Sequence, residues 1–315
     1  MSANGVNNKP SSKENKIFMW INPRSLSTSF EKCVGCMDNA QTWHEPYTSC
    51  YFNLLFNDPA TFALFPGMRA FVGQFMNAQK LVDAGGHLYE GGNLSPVTSF
   101  NHDWVKEQLE KPVAEGKDFM FIKDTAFGID GYYDKLPQIN AKHTFIIRHP
   151  HRVALSARRL LMHLYEHKGD PDDFNLSGDH PFMAWEKLSP DPLFKLWNYV
   201  RENIDPNPIV IDADDLQNYP EETLRKYCEA VGIPFKKKYT NWPKSDESLK
   251  YFHGALEQMV WGKNEGVYDA AFLSSCILPL TKPLPDKVPE KCEGYAAEFR
   301  EGYKIMYETR LKPTE

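Results

Sequence analysis

The alternation of apolar and polar positions predicts short buried strands separated by helices over much of the chain. Short runs rich in apolar residues occur at 17–21, 118–124, 143–147 and 208–211, and a further short strand is predicted at 41–44. Runs of this length, bounded by polar residues and loop signals, are typical of strands in a buried sheet. Helical patterns follow several of them, starting with residues 28–38. The pattern predicts an α/β fold of three layers around a central, mainly parallel sheet.

The residues between the second and third predicted strands, about 47–117, predict a helical insertion instead. Aromatic and aliphatic residues recur at helical spacing within 51–56, 71–76 and 104–109, and glycine pairs at 85–86 and 91–92 mark loops. Such an insertion could form an acceptor pocket or a lid, although core packing explains the same aromatic residues. Near the end of the chain, helices are predicted over 248–260 and 289–310.

The length of 315 residues and the hydrophobic content of 42% predict a single large α/β domain over residues 16–315. Residues 1–15 are polar and predict a disordered tail without the apolar region of a signal peptide. No run approaches the roughly 18 apolar residues that a membrane span requires. We therefore expect a cytoplasmic protein that has no membrane partner.

Charge and cysteine content narrow the class of protein further. A net charge of −6 argues against nucleic-acid binding, which usually requires a basic surface. Six cysteines in a chain of this length do not form a disulfide framework, and the pair Cys33 and Cys36 falls inside the first predicted helix. We expect these cysteines to pack in the core, and no metal site is predicted.

A strand, a polar loop and a helix form the first candidate site, at residues 17–38. The loop and the start of the helix, residues 22–29, read Asn-Pro-Arg-Ser-Leu-Ser-Thr-Ser. The free N–H groups at a helix N-terminus favour an anion, and the guanidinium of Arg24 suits two phosphate or sulfate oxygens. The simpler alternative is a strand followed by a serine-capped helix.

A second segment of this kind begins more than a hundred residues later. The apolar strand at 143–147 ends in Arg148, and Pro150 stands where it can open a helix. Ser156 lies about two helical turns beyond Arg148. Arg148 and Ser156 could therefore bracket one phosphate group.

Together, the two segments resemble the 5′-phosphosulfate loop and the 3′-phosphate element of sulfotransferases that use 3′-phosphoadenosine 5′-phosphosulfate. A third segment, residues 214–235, resembles a structural run of the same family, and the three occur in family order. The resemblance implies a P-loop NTPase-like sulfotransferase architecture. It also implies that the donor nucleotide, with no metal, is bound by Arg24, Ser25, Leu26, Ser27, Thr28, Ser29, Arg148 and Ser156.

Catalytic candidates follow the second and third predicted strands. His44 and Glu45 stand at the end of one strand, and the family uses a His or a Glu from this region as the general base. Lys123 ends the other strand and, like Arg24, could contact the transferring sulfuryl group. Structural alternatives are that Glu45 pairs with Arg24, that His44 packs, and that Lys123 pairs with Asp124.

Two positions depart from the family pattern. Ala213 stands where the family often has a tyrosine that contacts adenine, which leaves Trp242 as a candidate for stacking. Residues 262–266 resemble only loosely the C-terminal segment that binds the 3′-phosphate in cytosolic members of the family.

The expected function is sulfuryl transfer to a hydroxyl or amine of a small-molecule acceptor, possibly aromatic or lipophilic. One alternative is a P-loop kinase or NTPase, but the sequence lacks the Gly-x-x-x-x-Gly-Lys-Ser/Thr signature. The other is a degenerate family member that binds the nucleotide without transfer. The sequence leaves a homodimer open.

Overall fold

The computed structural model describes residues 15–57, 93–176, 191–244 and 252–313. Almost all of the tail predicted to be disordered lies outside these ranges, as do residues 58–92 of the predicted insertion. Among the described residues, no helix combines the length and the apolar character needed to cross a membrane.

The described residues form a sheet of seven strands, and every pair of neighbouring strands is parallel. Along the chain the strands are β1 (Asn15–Ile21), β2 (Ala40–His44), β3 (Leu94–Ser95), β4 (Phe119–Thr125), β5 (Ala141–Ile147), β6 (Ile209–Asp212) and β7 (Phe252–Ala255). Their order across the sheet is β3-β7-β2-β4-β1-β5-β6. The predicted α/β class is therefore confirmed.

Helices cover both faces of this sheet. In chain order the described helices are α1 (Ser27–Gly35), α2 (Pro46–Asn57), α3 (His102–Glu110), α4 (Pro150–Leu164), α5 (Pro192–Asn203), α6 (Ala213–Asn218), α7 (Pro220–Val231), α8 (Leu256–Asn264), α9 (Asp269–Phe272), α10 (Glu290–Glu298) and α11 (Arg300–Glu308). Because side chains alternate along a strand, Phe18 and Trp20 join a core with α2, α3 and α5, whereas Ile17 and Met19 join one with α1 and α7. The three predicted layers follow from this alternation.

The insertion after β2 is helical only in part. The helices α2 and α3 agree with the prediction, but the short strand β3 lies between them and pairs with β7 at the edge of the sheet. A strand of two residues leaves no periodicity that a sequence pattern could reveal.

Two predictions near the end of the chain were wrong. The helix predicted over 248–260 begins only at Leu256, because Phe252–Ala255 forms β7 and pairs with β2. The long helix predicted over 289–310 is two helices, α10 and α11, separated at Phe299. In the first case a four-residue buried strand was too short to be distinguished from the helix that follows it.

Candidate active site

Four neighbouring strands end at the same edge of the sheet and bring the predicted site residues together. In the register of the sheet, Ile21 of β1 lies beside Thr125 of β4 and Ile146 of β5, and His44 of β2 lies beside Lys123 of β4. The segments that follow β1, β2 and β5 therefore start next to one another. In open α/β sheets this edge is where ligands bind.

The loop after β1 turns sharply into α1. Arg24 and Leu26 both have φ of 69°, a left-handed conformation that is unusual for residues other than glycine. The helix begins at Ser27 with Leu26 as its N-cap, and no side chain accepts a hydrogen bond there. The first amide groups of α1 are therefore left without a side-chain cap, as expected of a site that takes an anion.

The side chains of the two predicted anion segments are in direct contact. Nε of Arg24 donates to Oγ of Ser156 at 3.1 Å, and Nη1 of Arg148 donates to the carbonyl oxygen of Arg24 at 2.9 Å. Nη1 of Arg24 also donates to the carbonyl oxygen of Val267 at 3.1 Å. These bonds fix both guanidinium groups at the start of α1.

A cleft of about 1540 Å³ opens over these groups. All eight residues predicted to bind the donor nucleotide line it: Arg24, Ser25, Leu26, Ser27, Thr28, Ser29, Arg148 and Ser156. The sequence did not indicate Arg159, Gln217 and Tyr268, which also line it.

The electrostatics of the cleft favour an anion. Burial, together with repulsion from Arg148 and Arg159, lowers the pKa of Arg24 to about 10. Burial likewise lowers the pKa of Arg148. Among the described residues, Nε of Arg148 and Oγ of Ser25 are buried without a hydrogen-bond partner. Bound anionic oxygens would relieve the repulsion and satisfy such donors.

A buried ion pair lies beside the cleft. Nζ of Lys123 is 2.5 Å from Oε1 of Glu45 and 3.5 Å from Oε2 of Glu31. Burial works to raise the pKa of Glu45, but the charge and hydrogen bond of Lys123 outweigh it and lower that pKa. Burial works to lower the pKa of Lys123, and the carboxylates of Glu45 and Glu31 raise it instead. The alternatives that Glu45 pairs with Arg24, and Lys123 with Asp124, do not hold.

His44 is held on both sides of its ring. Nδ1 lies 2.8 Å from Oε2 of Glu31, and Nε2 lies 3.1 Å from the hydroxyl of Tyr268. His44 and Lys123 are 1% and 0% exposed, whereas Glu45 lines a pocket. Of the four predicted catalytic residues, Glu45 and Arg24 therefore line the pocket, whereas His44 and Lys123 are buried behind it.

That pocket, of about 790 Å³, adjoins the cleft. The two share Arg24, Ser27, Thr28, Leu160, Val267 and Tyr268. The walls away from the cleft are mostly apolar: Phe52, Phe127, Leu161 and Trp261. Phe52 belongs to α2, so the start of the insertion contributes one side chain to the wall of the pocket.

The region after β7 supplies residues that sequence reasoning missed. Nε2 of Gln258 donates to Oε2 of Glu45 at 2.6 Å, and Tyr268 follows α8 in a turn that begins near Gly266. Gly266 itself lines the cleft, at the end of residues 262–266, which resemble the family's C-terminal phosphate-binding segment only loosely. Trp242 does not stack in the cleft: it is buried, and its indole N–H donates to the carbonyl oxygen of Ala271.

Arg152, a further cation of the second segment, forms its side-chain ion pair and hydrogen bonds with residues outside the two anion segments. Its Nε lies 2.7 Å from Oδ2 of Asp214, and its guanidinium donates to the carbonyl oxygen of Lys282. In the described part of the chain, no group of three or more His, Cys, Asp or Glu side chains is placed to hold a metal ion.

No protein-family model matches the sequence, and neither does any curated protein. Similar solved structures include the sulfotransferase domain from the curacin biosynthetic pathway, with a TM-score of 0.47, 15% identity, and coverage of 95% of this chain and 99% of that one. The sulfotransferase domain from the Synechococcus PCC 7002 olefin synthase has a TM-score of 0.45 and 16% identity, with coverage of 92% of this chain and 97% of that one. Mouse sulfotransferase SULT7A1 complexed with PAP has a TM-score of 0.40 and 11% identity, with coverage of 94% of this chain and 90% of that one. All three are described as sulfotransferases or sulfotransferase domains, and each alignment covers more than nine-tenths of this chain.

Proposed function

We propose that the protein transfers the sulfuryl group of 3′-phosphoadenosine 5′-phosphosulfate to a hydroxyl or amine of a small acceptor. One observation carries the proposal. Two arginine-bearing segments, around Arg24 and Arg148, line one cleft, and that cleft adjoins an apolar pocket with Glu45 in its wall. A nucleotide with anionic groups at both its 3′ and 5′ positions and a small acceptor would meet where the two spaces join.

In this arrangement the start of α1 and Arg24 hold the 5′-phosphosulfate, and Arg148 with Ser156 holds the 3′-phosphate. The unpartnered Nε of Arg148 and Oγ of Ser25 are donors of the kind that such a ligand needs. The fixed guanidinium groups would act on the charge that develops on the leaving phosphate. Preorganised donors of this kind are usually the largest contribution to catalysis.

The acceptor would lie in the apolar pocket with its hydroxyl or amine directed at the shared rim. Its oxygen or nitrogen forms a bond to sulfur while the bond from sulfur to the bridging phosphate oxygen breaks, and the bisphosphate leaves. The acceptor also gives up a proton, for which the Glu45 and His44 pair provides two basic groups. The apolar walls suit an aromatic or lipophilic acceptor.

Ligand binding tests the donor assignment. We expect adenosine 3′,5′-bisphosphate to raise the melting temperature, and ATP with Mg²⁺ to do so much less, because a ligand stabilises the folded state to which it binds. Stabilisation by ATP with Mg²⁺ alone would favour the kinase alternative. Transfer of labelled sulfate from the donor to a panel of alcohols, phenols and amines then separates an enzyme from a protein that only binds the nucleotide.

A further inference from the structure

The buried groups around His44 form a chain that leads from the junction of cleft and pocket into the core. Tyr268 lines both spaces, and its hydroxyl lies 3.1 Å from Nε2 of His44. Nδ1 of the same ring lies 2.8 Å from Oε2 of Glu31. Glu31 is fully buried, so its carboxylate is an unusual neighbour for a histidine that only packs.

The carboxylate of Glu31 decides the tautomer of His44. An ionised carboxylate only accepts hydrogen bonds, so Nδ1 of His44 must carry a proton to bond with it. In the neutral ring Nε2 then has a free lone pair, which accepts the hydroxyl proton of Tyr268. The side chain of Gln258 also forms a hydrogen bond with this hydroxyl, and the phenol oxygen keeps a lone pair that can accept a proton.

Glu45 is poorly suited to take a proton itself. Its Oε1 lies 2.5 Å from Nζ of Lys123, and its Oε2 accepts from Gln258 at 2.6 Å. Lys123 lowers the pKa of Glu45 against the effect of burial. A carboxylate held in this way is a weak base, although it faces the acceptor pocket.

The charges around His44 would stabilise the ring once it has accepted a proton in the reaction. Glu31, Glu45 and Lys123 carry two negative charges and one positive charge, so a neutral His44 leaves the buried cluster at −1. Protonation of His44 brings the sum to zero, with Oε2 of Glu31 at 2.8 Å and Oε2 of Glu45 at 3.9 Å from the ring nitrogens. Lys123 is the opposing charge on β4, and the positive charge of Arg24 also acts on Tyr268.

We propose that Tyr268 is a proton relay of the proposed sulfuryl transfer, with His44 as the final proton acceptor and Glu31 as the residue that positions it. The inference rests on the proposed function. As the acceptor oxygen bonds to sulfur, its proton passes to Oη of Tyr268 while the phenol proton passes to Nε2 of His44. The reverse path returns the proton to solvent after the bisphosphate has left.

The ring of Tyr268 is held in place for this role by a close approach to α8. A Cβ added to Gly262 would lie 2.1 Å from Cε2 of Tyr268. The ring of Tyr268 also meets that of His44 edge-on, with centroids 5.2 Å apart and planes at 90°. Both contacts are made by the ring of Tyr268, so they position its hydroxyl without forming a hydrogen bond to it.

The test compares Tyr268→Phe with Tyr219→Phe, an exposed tyrosine, on acceptors of different acidity. A relay matters for alcohols, which must lose a proton to the enzyme, and hardly for a nitrophenol acidic enough to lose it unaided. We expect Tyr268→Phe to lower kcat/KM with alcohols roughly 100-fold, in the range of general acid–base catalysis, and with the nitrophenol no more than about 3-fold. Adenosine 3′,5′-bisphosphate should bind both variants as it binds the wild type.

Equal losses of kcat/KM on both kinds of acceptor, or no loss on alcohols, would overturn the relay. The proposed function would still stand as long as the wild type transfers sulfate. A wild type that binds no bisphosphate and transfers no sulfate would end the proposed function itself. If the bisphosphate binds but no panel member accepts sulfate, ¹⁵N NMR of His44 decides. The relay expects an Nδ1–H tautomer whose Nε2 resonance shifts in Tyr268→Phe, and an unshifted resonance or an Nε2–H tautomer contradicts it.

Discussion

Nε of Arg24 donates a hydrogen bond to Oγ of Ser156, a residue 132 positions later, across a distance of 3.1 Å. The bond joins the loop after β1 to the middle of α4. Arg148, at the end of β5, adds a second link through the carbonyl oxygen of Arg24. The two segments that resemble different phosphate-binding elements are therefore one surface. The predictions below test what this surface and the buried cluster beside it do.

Replacement of Arg148 should weaken nucleotide binding through the 3′-phosphate. A hydrogen bond to a charged group contributes about 1.5–3 kcal/mol, so Arg148→Ala should weaken adenosine 3′,5′-bisphosphate binding roughly 10- to 150-fold. Binding of adenosine 5′-monophosphate should change much less. Calorimetric titration measures both, with Arg225→Ala, on the exposed face of α7, as the control. Equal weakening for both nucleotides would place the 3′-phosphate elsewhere.

The buried lysine should be important for stability. Lys123→Met leaves Glu45 and Glu31 without their cation, which typically costs about 3–5 kcal/mol of unfolding free energy. The control Lys237→Met removes an exposed pair with Glu221 and should change the stability far less, because solvent screens such a pair. Urea denaturation at pH 7 measures both. A Lys123→Met loss no larger than that of the control would contradict the buried pair.

The stabilising effect of Lys123 should also depend on pH. Because Lys123 lowers the pKa of Glu45 in the folded state, the pair stabilises the protein above the usual carboxyl pKa near 4.5. This stabilisation is lost as the pH falls through the lowered value. The difference between wild type and Lys123→Met should therefore shrink as the pH is lowered below 4.5, and a constant difference would count against the pair.

The ionisation of Asp124 should affect stability in the opposite direction, so that the protein becomes less stable as the pH rises. Its carboxylate accepts hydrogen bonds from the backbone amides of Tyr47, Thr48 and Thr125 and from the Thr48 hydroxyl. Burial nevertheless raises its pKa to about 7, so ionisation of Asp124 makes the wild type less stable as the pH rises from about 4 to 7.

Asp124→Asn should abolish that decline and, below pH 5, cost about 1–3 kcal/mol because its NH₂ group cannot accept from these donors. The exposed Asp103→Asn is the control, and urea midpoints across this pH range are the measurement. If the decline between pH 4 and 7 persisted in Asp124→Asn, another group would be responsible.

Gly262 should be sensitive to the smallest addition. A Cβ there would lie 2.1 Å from the ring of Tyr268, so Gly262→Ala must displace the ring or α8. We expect a loss of about 1–3 kcal/mol of stability, typical of overpacking, and a fall in sulfuryl transfer. Gly169→Ala, whose added Cβ would approach only the partly exposed side chain of His167, at 3.1 Å, is the control for stability and should leave transfer unchanged. Full transfer by Gly262→Ala would mean that the position of Tyr268 is unimportant.

The parts of this site that the sequence predicted are those with strong local signals. The strands β1 and β5 are apolar runs that end in polar loops, so Arg24 and Arg148 could be placed at the same edge of a parallel sheet. The insertion after β2 was recognisable from its aromatic spacing, although the two-residue strand β3 was not.

Tyr268, Gln258 and Glu31 could not be predicted because their roles depend on tertiary contacts. Glu31 is of a residue type that is rarely fully buried, yet it is fully buried here, beside His44 and Lys123. Tyr268 and Gln258 follow β7, which the pattern assigned to a helix, so nothing in the sequence placed them beside β2. Only the pairing of β7 with β2 brings them there.

A crystal structure with adenosine 3′,5′-bisphosphate tests the central claim most directly. The account predicts one nucleotide in the cleft, with its 5′-phosphate at Arg24 and the first amide groups of α1. Its 3′-phosphate should lie within hydrogen-bond distance of Arg148 and Ser156. A nucleotide that contacts only one of the two arginines, or that binds away from the cleft, would contradict it.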